Sequence, residues 1–117
     1  MAFSSFEDLE VWKRACNLAV SVYESLKTTR DFGMRDQMQR CAVSIASNIA
    51  EGSERPPKDF QRFLRIAQGS AAELRTQAYI ASKVSIINND QMKHIVKETK
   101  GIAKMLTGLI KSIKIDG

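Results

Sequence analysis

Along this chain apolar residues recur at alternating steps of three and four, and nowhere at steps of two over a useful length. That spacing is the mark of one face of a helix, whereas a half-buried strand would alternate. Only two prolines interrupt the pattern, Pro56 and Pro57, and they are adjacent, so long stretches on either side are free of helix breakers. The expectation is an all-α chain with no sheet.

Four segments follow. The first spans about 8–27, where Leu9, Trp12, Cys16, Ala19, Tyr23 and Leu26 form one stripe and Ala15, Leu18 and Val22 widen it. After a break at Thr28–Gly33, a second segment spans about 34–51, with Met34, Met38, Cys41, Ile45 and Ile49 on one side. Another of its sides carries Val43, Ala46, Ser47 and Ala50, small enough for a neighbouring helix to approach closely, and Gly52 is placed to cap its end. The double proline closes the next loop and suits the first turn of a third segment, about 58–85. There Phe60, Phe63, Leu64, Ala67, Ala71, Leu74, Ala78 and Ala81 make the core face, while Ile66, Ile80 and Val84 fall on a different side. A helix apolar on two sides touches more than its own bundle, so these three residues are the expected oligomer interface. Asn88 with Gln91 reads as a capping box opening a fourth segment, about 89–114, with Ile95, Ile102, Leu106, Leu109 and Ile113 inward. Four amphipathic segments joined by short loops favour an antiparallel up-and-down four-helix bundle. The 117 residues fit a single domain, residues 1–117, large enough to bury a core without disulfide staples.

Cys16 and Cys41 lack CxxC spacing and sit within helical runs, so two reduced core thiols are expected. The first residues lack a basic start followed by an apolar run, and no stretch approaches the ~20 apolar residues that span a bilayer. A cytoplasmic protein with no membrane partner is the expectation.

Net charge is +5 and concentrated: residues 89–117 hold six lysines against Asp90, Glu98 and Asp116. At helical pitch Lys93, Lys97, Lys100, Lys104, Lys111 and Lys114 fall within about 100° of arc, with Glu98 off the stripe. Such a ridge could follow a phosphate backbone, and equally could be a solvated face that keeps an oligomer soluble. No aromatic residue interleaves these lysines, which argues against sequence-specific reading of a single strand. Arg55, Lys58, Arg62 and Arg65 form a second basic group around the start of the third segment, where helix amides could help hold a phosphate. Arg30 and Arg35 would join it if the loops met at one end; ordinary surface charge is the competing explanation.

Gln37, Arg40, Ser44, Asn48 and Glu51 form a polar stripe expected to face Ser70, Glu73 and Gln77. As an acid/base pair, Glu51 and Glu73 would be an enzyme's signature, but a di-metal bundle needs Glu-x-x-His motifs and His94 is the only histidine. No metal and no cofactor are expected. A structural hydrogen-bond network of Arg40, Ser44, Asn48, Glu51, Ser70 and Glu73, with Arg40 pairing to Glu73, explains the stripe better. His94 has no Ser, Cys or Asp in register for a relay, and no phosphate loop or nucleophile elbow occurs, so no enzyme is expected.

The runs FEDLEVWKRA, DQMQRCAVSIASNIAEGSER and FQRFLRIAQGSAAEL resemble the four-helix-bundle proteins encoded in intervening sequences of bacterial 23S ribosomal RNA genes. The resemblance covers residues 3–85 strongly and the last segment by pattern. Members of that family are similar in fold to accessory variability determinant proteins of diversity-generating retroelements, which bind a reverse transcriptase and nucleic acid. The resemblance implies a homopentameric barrel with a basic surface and no enzymatic activity. The matching positions are Trp12, Arg40, Ser44, Asn48, Glu51, Gly52, Phe63, Gly69, Ser70 and Glu73, read as architectural. Pro56-Pro57 departs from the small polar residue the family more often carries there. Together these features lead to a non-enzymatic, homo-oligomeric nucleic-acid-binding protein, RNA ahead of DNA, binding through charge with weak sequence preference. The alternative is an oligomeric adaptor for a protein partner such as a polymerase.

Overall fold

A computed structural model describes residues 5–115. A short 3-10 turn at Phe6–Asp8 leads into four helices, α1 (Glu10–Ser25), α2 (Phe32–Ser53), α3 (Pro57–Lys83) and α4 (Asn89–Ser112), with no strand among the described residues. They pack in cyclic order, each against the helices before and after it and α1 against α4. Cross-helix hydrogen bonds fix the directions. Cys41 meets Ser70 and Gly52 lies against Phe63, while Gln61 reaches Ile110 and Gln68 reaches Thr107, so α3 runs opposite to both α2 and α4. The product is the up-and-down bundle expected from the short loops, a rod of 50 × 20 × 18 Å.

Local chemistry sets the helix ends. Asn88 and Gln91 form the capping box in full, each side chain accepting from the other's backbone N–H at 2.9 and 2.8 Å. Pro57 occupies the first turn of α3, where its missing N–H costs nothing. The start of α2 lies two residues before the expected one because Asp31 accepts from Met34 N at 3.0 Å. α3 stops at Lys83 as Ser85 enters the left-handed region (φ 64°) and Ile86 N–H turns back to Ala81 O at 2.8 Å. α4 ends at Ser112, so Lys114 lies beyond the helix.

The predicted core of α3 is buried in full, all eight positions from Phe60 to Ala81. In α1 the expectation needs correction. Val11, Ala15, Leu18, Val22 and Leu26 face the core, whereas Tyr23 is 48% exposed and Trp12, Cys16 and Ala19 are half-buried. Those three line a groove between α1 and α2 with Val43, Ala46, Ser47 and Ala50, and Trp12 is held edge-on by Phe6, centroids 5.2 Å apart. Gly52 also differs from expectation. It lies inside α2 rather than capping it, and a Cβ there would stand 2.5 Å from Phe63 Cβ. Its missing side chain is what lets α2 and α3 close together.

Arg14 and Glu98 tie α1 to α4 through paired hydrogen bonds of 2.9 and 3.1 Å, and the guanidinium crosses α4 over Gly101, where any Cβ would collide with it. The hydrogen bond from Arg14 holds the Glu98 carboxyl below its usual range, against the opposing effect of burial; the charges of Arg14, His94 and Lys97 add to the lowering. The unfolded chain therefore binds more protons than the folded one as this group titrates. Its contribution is complete above about pH 5 and drains away as pH falls through the lowered pKa. Replacing Glu98 by Gln is expected to cost about 1 kcal/mol in urea unfolding at neutral pH, after discounting for solvent at a part-exposed pair. The difference from the parent protein should shrink toward pH 3; one that stays constant with pH would contradict this account.

Candidate nucleic-acid interface

Helix α4 turns Ile95, Thr99, Ile102 and Leu106 inward, and helical pitch then places Lys93, Lys97, Lys100, Lys104 and Lys111 on the opposite side. All five are exposed, and none takes part in an ion pair among the described residues. Glu98 stands off this ridge because it turns toward α1 and Arg14. From Lys93 to Lys111 the ridge runs about 27 Å along the axis. Lys114 is exposed too but has left the ridge. It lines a cavity of about 610 Å³ at the end of the bundle with Arg55, Ser5, Phe6, Phe60 and Ser112.

The second basic group is divided by the fold. Arg55 pairs with Glu51 at 3.4 Å and Arg62 with Asp59 at 3.5 Å, and both guanidinium groups lie over the Phe63 ring, 5.2 and 4.8 Å from its centroid. Lys58 and Arg65 are exposed with no such partner. Arg30 and Arg35 do not join the group, because the loop before α2 and the loop after it lie at opposite ends of a helix about 33 Å long. Arg35 instead pairs with Asp36 at 3.0 Å and stacks on Phe32.

Between α2 and α3 the polar stripe forms a smaller network than expected. Ser44 Oγ and Ser70 Oγ meet at 2.8 Å, and Asn48 donates to Ser44 O at 2.8 Å. Arg40 does not pair with Glu73. Cys41 takes its place, its thiol shared between Ser70 O at 3.1 Å and Glu73 Oε2 at 3.3 Å, while Arg40 is exposed. Glu51 lies outside the network with Arg55. Because Glu73 is level with Cys41, it stands roughly 15 Å along the bundle from Glu51, too far for a shared acid/base step. Burial first, and then the adjacent Glu73, pushes the Cys41 thiol up to about 12, so it remains a protonated donor and not a nucleophile. Both cysteines are free, and no cluster of three metal-ligating side chains occurs among the described residues. Ile66, Ile80 and Val84 are exposed along the α3 side of this face, by 42%, 46% and 59%.

Residues unrecognised in the sequence lie beside the lysine ridge. Gln61 and Gln68 donate to α4, at Ile110 O (3.1 Å) and Thr107 Oγ1 (2.9 Å). Steps of four and three carry the same azimuth through Arg65, Ala72, Arg75 and Tyr79. Arg75 and Tyr79 therefore flank α4. Their spacing was present in the sequence, but only the pairing of α3 with α4 makes it a face.

The family model for 23S rRNA-intervening sequence protein matches residues 7–108. Among solved structures, the chain is similar to the crystal structure of a protein of unknown function from the S23 ribosomal protein family of Bacteroides thetaiotaomicron VPI-5482. The two are 27% identical, with a TM-score of 0.80 over 87% of this chain and 99% of the other. No curated protein matches the chain.

Proposed function

The chain belongs to the 23S rRNA-intervening sequence protein family, and from that premise we propose that it is a non-enzymatic, homo-oligomeric nucleic-acid-binding protein. It takes RNA ahead of DNA, through phosphate contacts and with weak sequence preference. The observation that carries this reading is the ridge of five exposed α4 lysines with no carboxylate paired to them. Ammonium groups so arranged release condensed counterions when they neutralise phosphates, which is the main source of sequence-independent affinity. Arg65 and Lys58 add charge at one end of the same rod. A salt series with nuclease-treated protein and a generic structured RNA tests it. Four or five phosphate contacts give a slope of roughly −3 to −5 in log affinity against log salt. Absence of binding at low salt would refute the reading.

The same proposal places Ile66, Ile80 and Val84 against a second copy, within the pentameric barrel that the family resemblance implies. Their support is an apolar row on a helix whose core face is already filled from another side. Light scattering at micromolar concentration should return a multiple of the 13.1 kDa chain mass, and Ile80→Arg should shift it to the monomer. A monomeric parent protein would overturn the assembly.

An adaptor that holds a protein partner such as a polymerase is the second reading. It is favoured by the uncharged groove of Trp12, Cys16, Ala19, Val43, Ala46 and Ala50, with exposed Tyr23 near its end. Co-purification of one protein that survives nuclease treatment and is lost in Ala46→Arg would support it over the first.

A further inference from the structure

Tyr79 is 44% exposed, and neither its ring nor its hydroxyl has a partner among the described residues. Among the exposed rings of the described residues it shares that state only with Tyr23, which lies on α1, away from the α3–α4 side. Phe32 and Phe63 are each covered by arginine, Phe6 is engaged by Trp12, and Tyr23 borders a groove that contains Asp36. At 100° per residue Tyr79 shares, to within about 20°, the azimuth of Gln61 and Gln68, the two α3 side chains that bond to α4. The antiparallel register they set makes Tyr79 level with about residue 96, within roughly 6 Å of rise of both Lys93 and Lys100. Arg75 stands one turn away on the same stripe, level with Lys100. The α3 stripe from Gln61 to Tyr79 and the α4 ridge contain no carboxylate. A part-exposed aromatic ring thus sits in a face that carries cations, neutral amides and small apolar residues such as Ala72, and no carboxylate.

We propose that this α3–α4 face takes a nucleic-acid strand with at least one unpaired base, its phosphates on Lys93, Lys97, Lys100 and Arg75 and that base stacked on Tyr79. The inference rests on the nucleic-acid reading above and narrows it to single-stranded, bulged or looped segments. A duplex turns its bases inward against one another and offers only phosphates to such a face, whereas an unpaired base brings a π-surface to a ring that lacks one. The phosphates supply salt-dependent affinity common to both forms, and the stack supplies the discrimination between them.

The test compares a short oligoadenylate with a blunt RNA duplex of the same length, both at one fixed moderate salt concentration. Tyr79→Ala is expected to weaken oligoadenylate binding roughly five- to 150-fold and to leave the duplex and the salt slope unchanged. Tyr79→Trp should retain or tighten oligoadenylate binding and show quenching of its indole, read in a Trp12→Phe background. If Tyr79→Ala leaves oligoadenylate binding intact, or weakens both probes equally, the stacking site is wrong while the charged ridge stands. If the parent protein binds neither probe, the ridge and the stacking site fall together.

Discussion

Changing Lys97, Lys100 and Lys104 together to glutamate is expected to lower affinity for a generic structured RNA by at least about a hundredfold near physiological salt. Each reversal removes a phosphate contact and sets a like charge in its place. The slope of log affinity against log salt should fall by roughly two to three as well. A loss of affinity at unchanged slope would instead mean that the variant had lost a contact unrelated to charge. The fold offers a clean background for this experiment. All three residues lie opposite the buried face of α4 and make no ion pair among the described residues, so stability should stay within about 0.5 kcal/mol. Undiminished binding would turn the ridge into a solvation device and move attention to the α1–α2 groove and a protein partner.

Replacing Gly52 by alanine should destabilise the protein by about 1–3 kcal/mol, although the same change inside an open helix stabilises by up to about 1 kcal/mol. Two effects of opposite sign compete at this position, and distance decides between them. The new Cβ would stand 2.5 Å from Phe63 Cβ and 3.1 Å from the Phe60 ring. A ring can rotate away, but Phe63 Cβ is fixed to the backbone of α3, so α2 and α3 must separate along their tightest line of contact. Gly108 provides the control: it is helical, and nothing lies within 4 Å of a Cβ built there, so Gly108→Ala should stabilise by about 0.5–1 kcal/mol. Urea midpoints of the two variants should therefore move in opposite directions. A stabilising Gly52→Ala would mean that the helices give more easily than this packing implies.

How much could be read without coordinates varied by helix for a physical reason. In α3 eight small and large apolar residues from Phe60 to Ala81 recur at the helical period on one continuous face, against only Ile66, Ile80 and Val84 on the other side, so the longer face is legible as the core, and it is buried. In α1 two adjacent stripes are both apolar, Val11–Ala15–Leu18–Val22 and Trp12–Cys16–Ala19–Tyr23. Periodicity has no means of ranking them. The position of α2 does so, by leaving the second stripe in a surface groove. Gly52 read as a cap because glycine after a helical run commonly is one, yet its role depends on a phenylalanine eleven residues away on another helix. Of the polar stripe, Ser44 meets Ser70 across α2 and α3, but Arg40 and Glu51 are exposed, and the nearer thiol of Cys41 reaches Glu73.

The candidate surface divides along the same line. One helix and its spacing suffice to align Lys93, Lys97, Lys100, Lys104 and Lys111, since a single period relates residues on a common axis whatever lies around it. The four helices, the capping box and the proline-led start of α3 are local in the same sense: each depends on residues within a turn or two. Contacts between helices carry no such periodic trace. Which apolar stripe is covered, where a missing Cβ is required, and that Tyr79 and Arg75 stand beside the lysines of α4 all follow from pairing and register. Those are set by the collective packing of side chains from distant parts of the chain, and only the tertiary structure decides them.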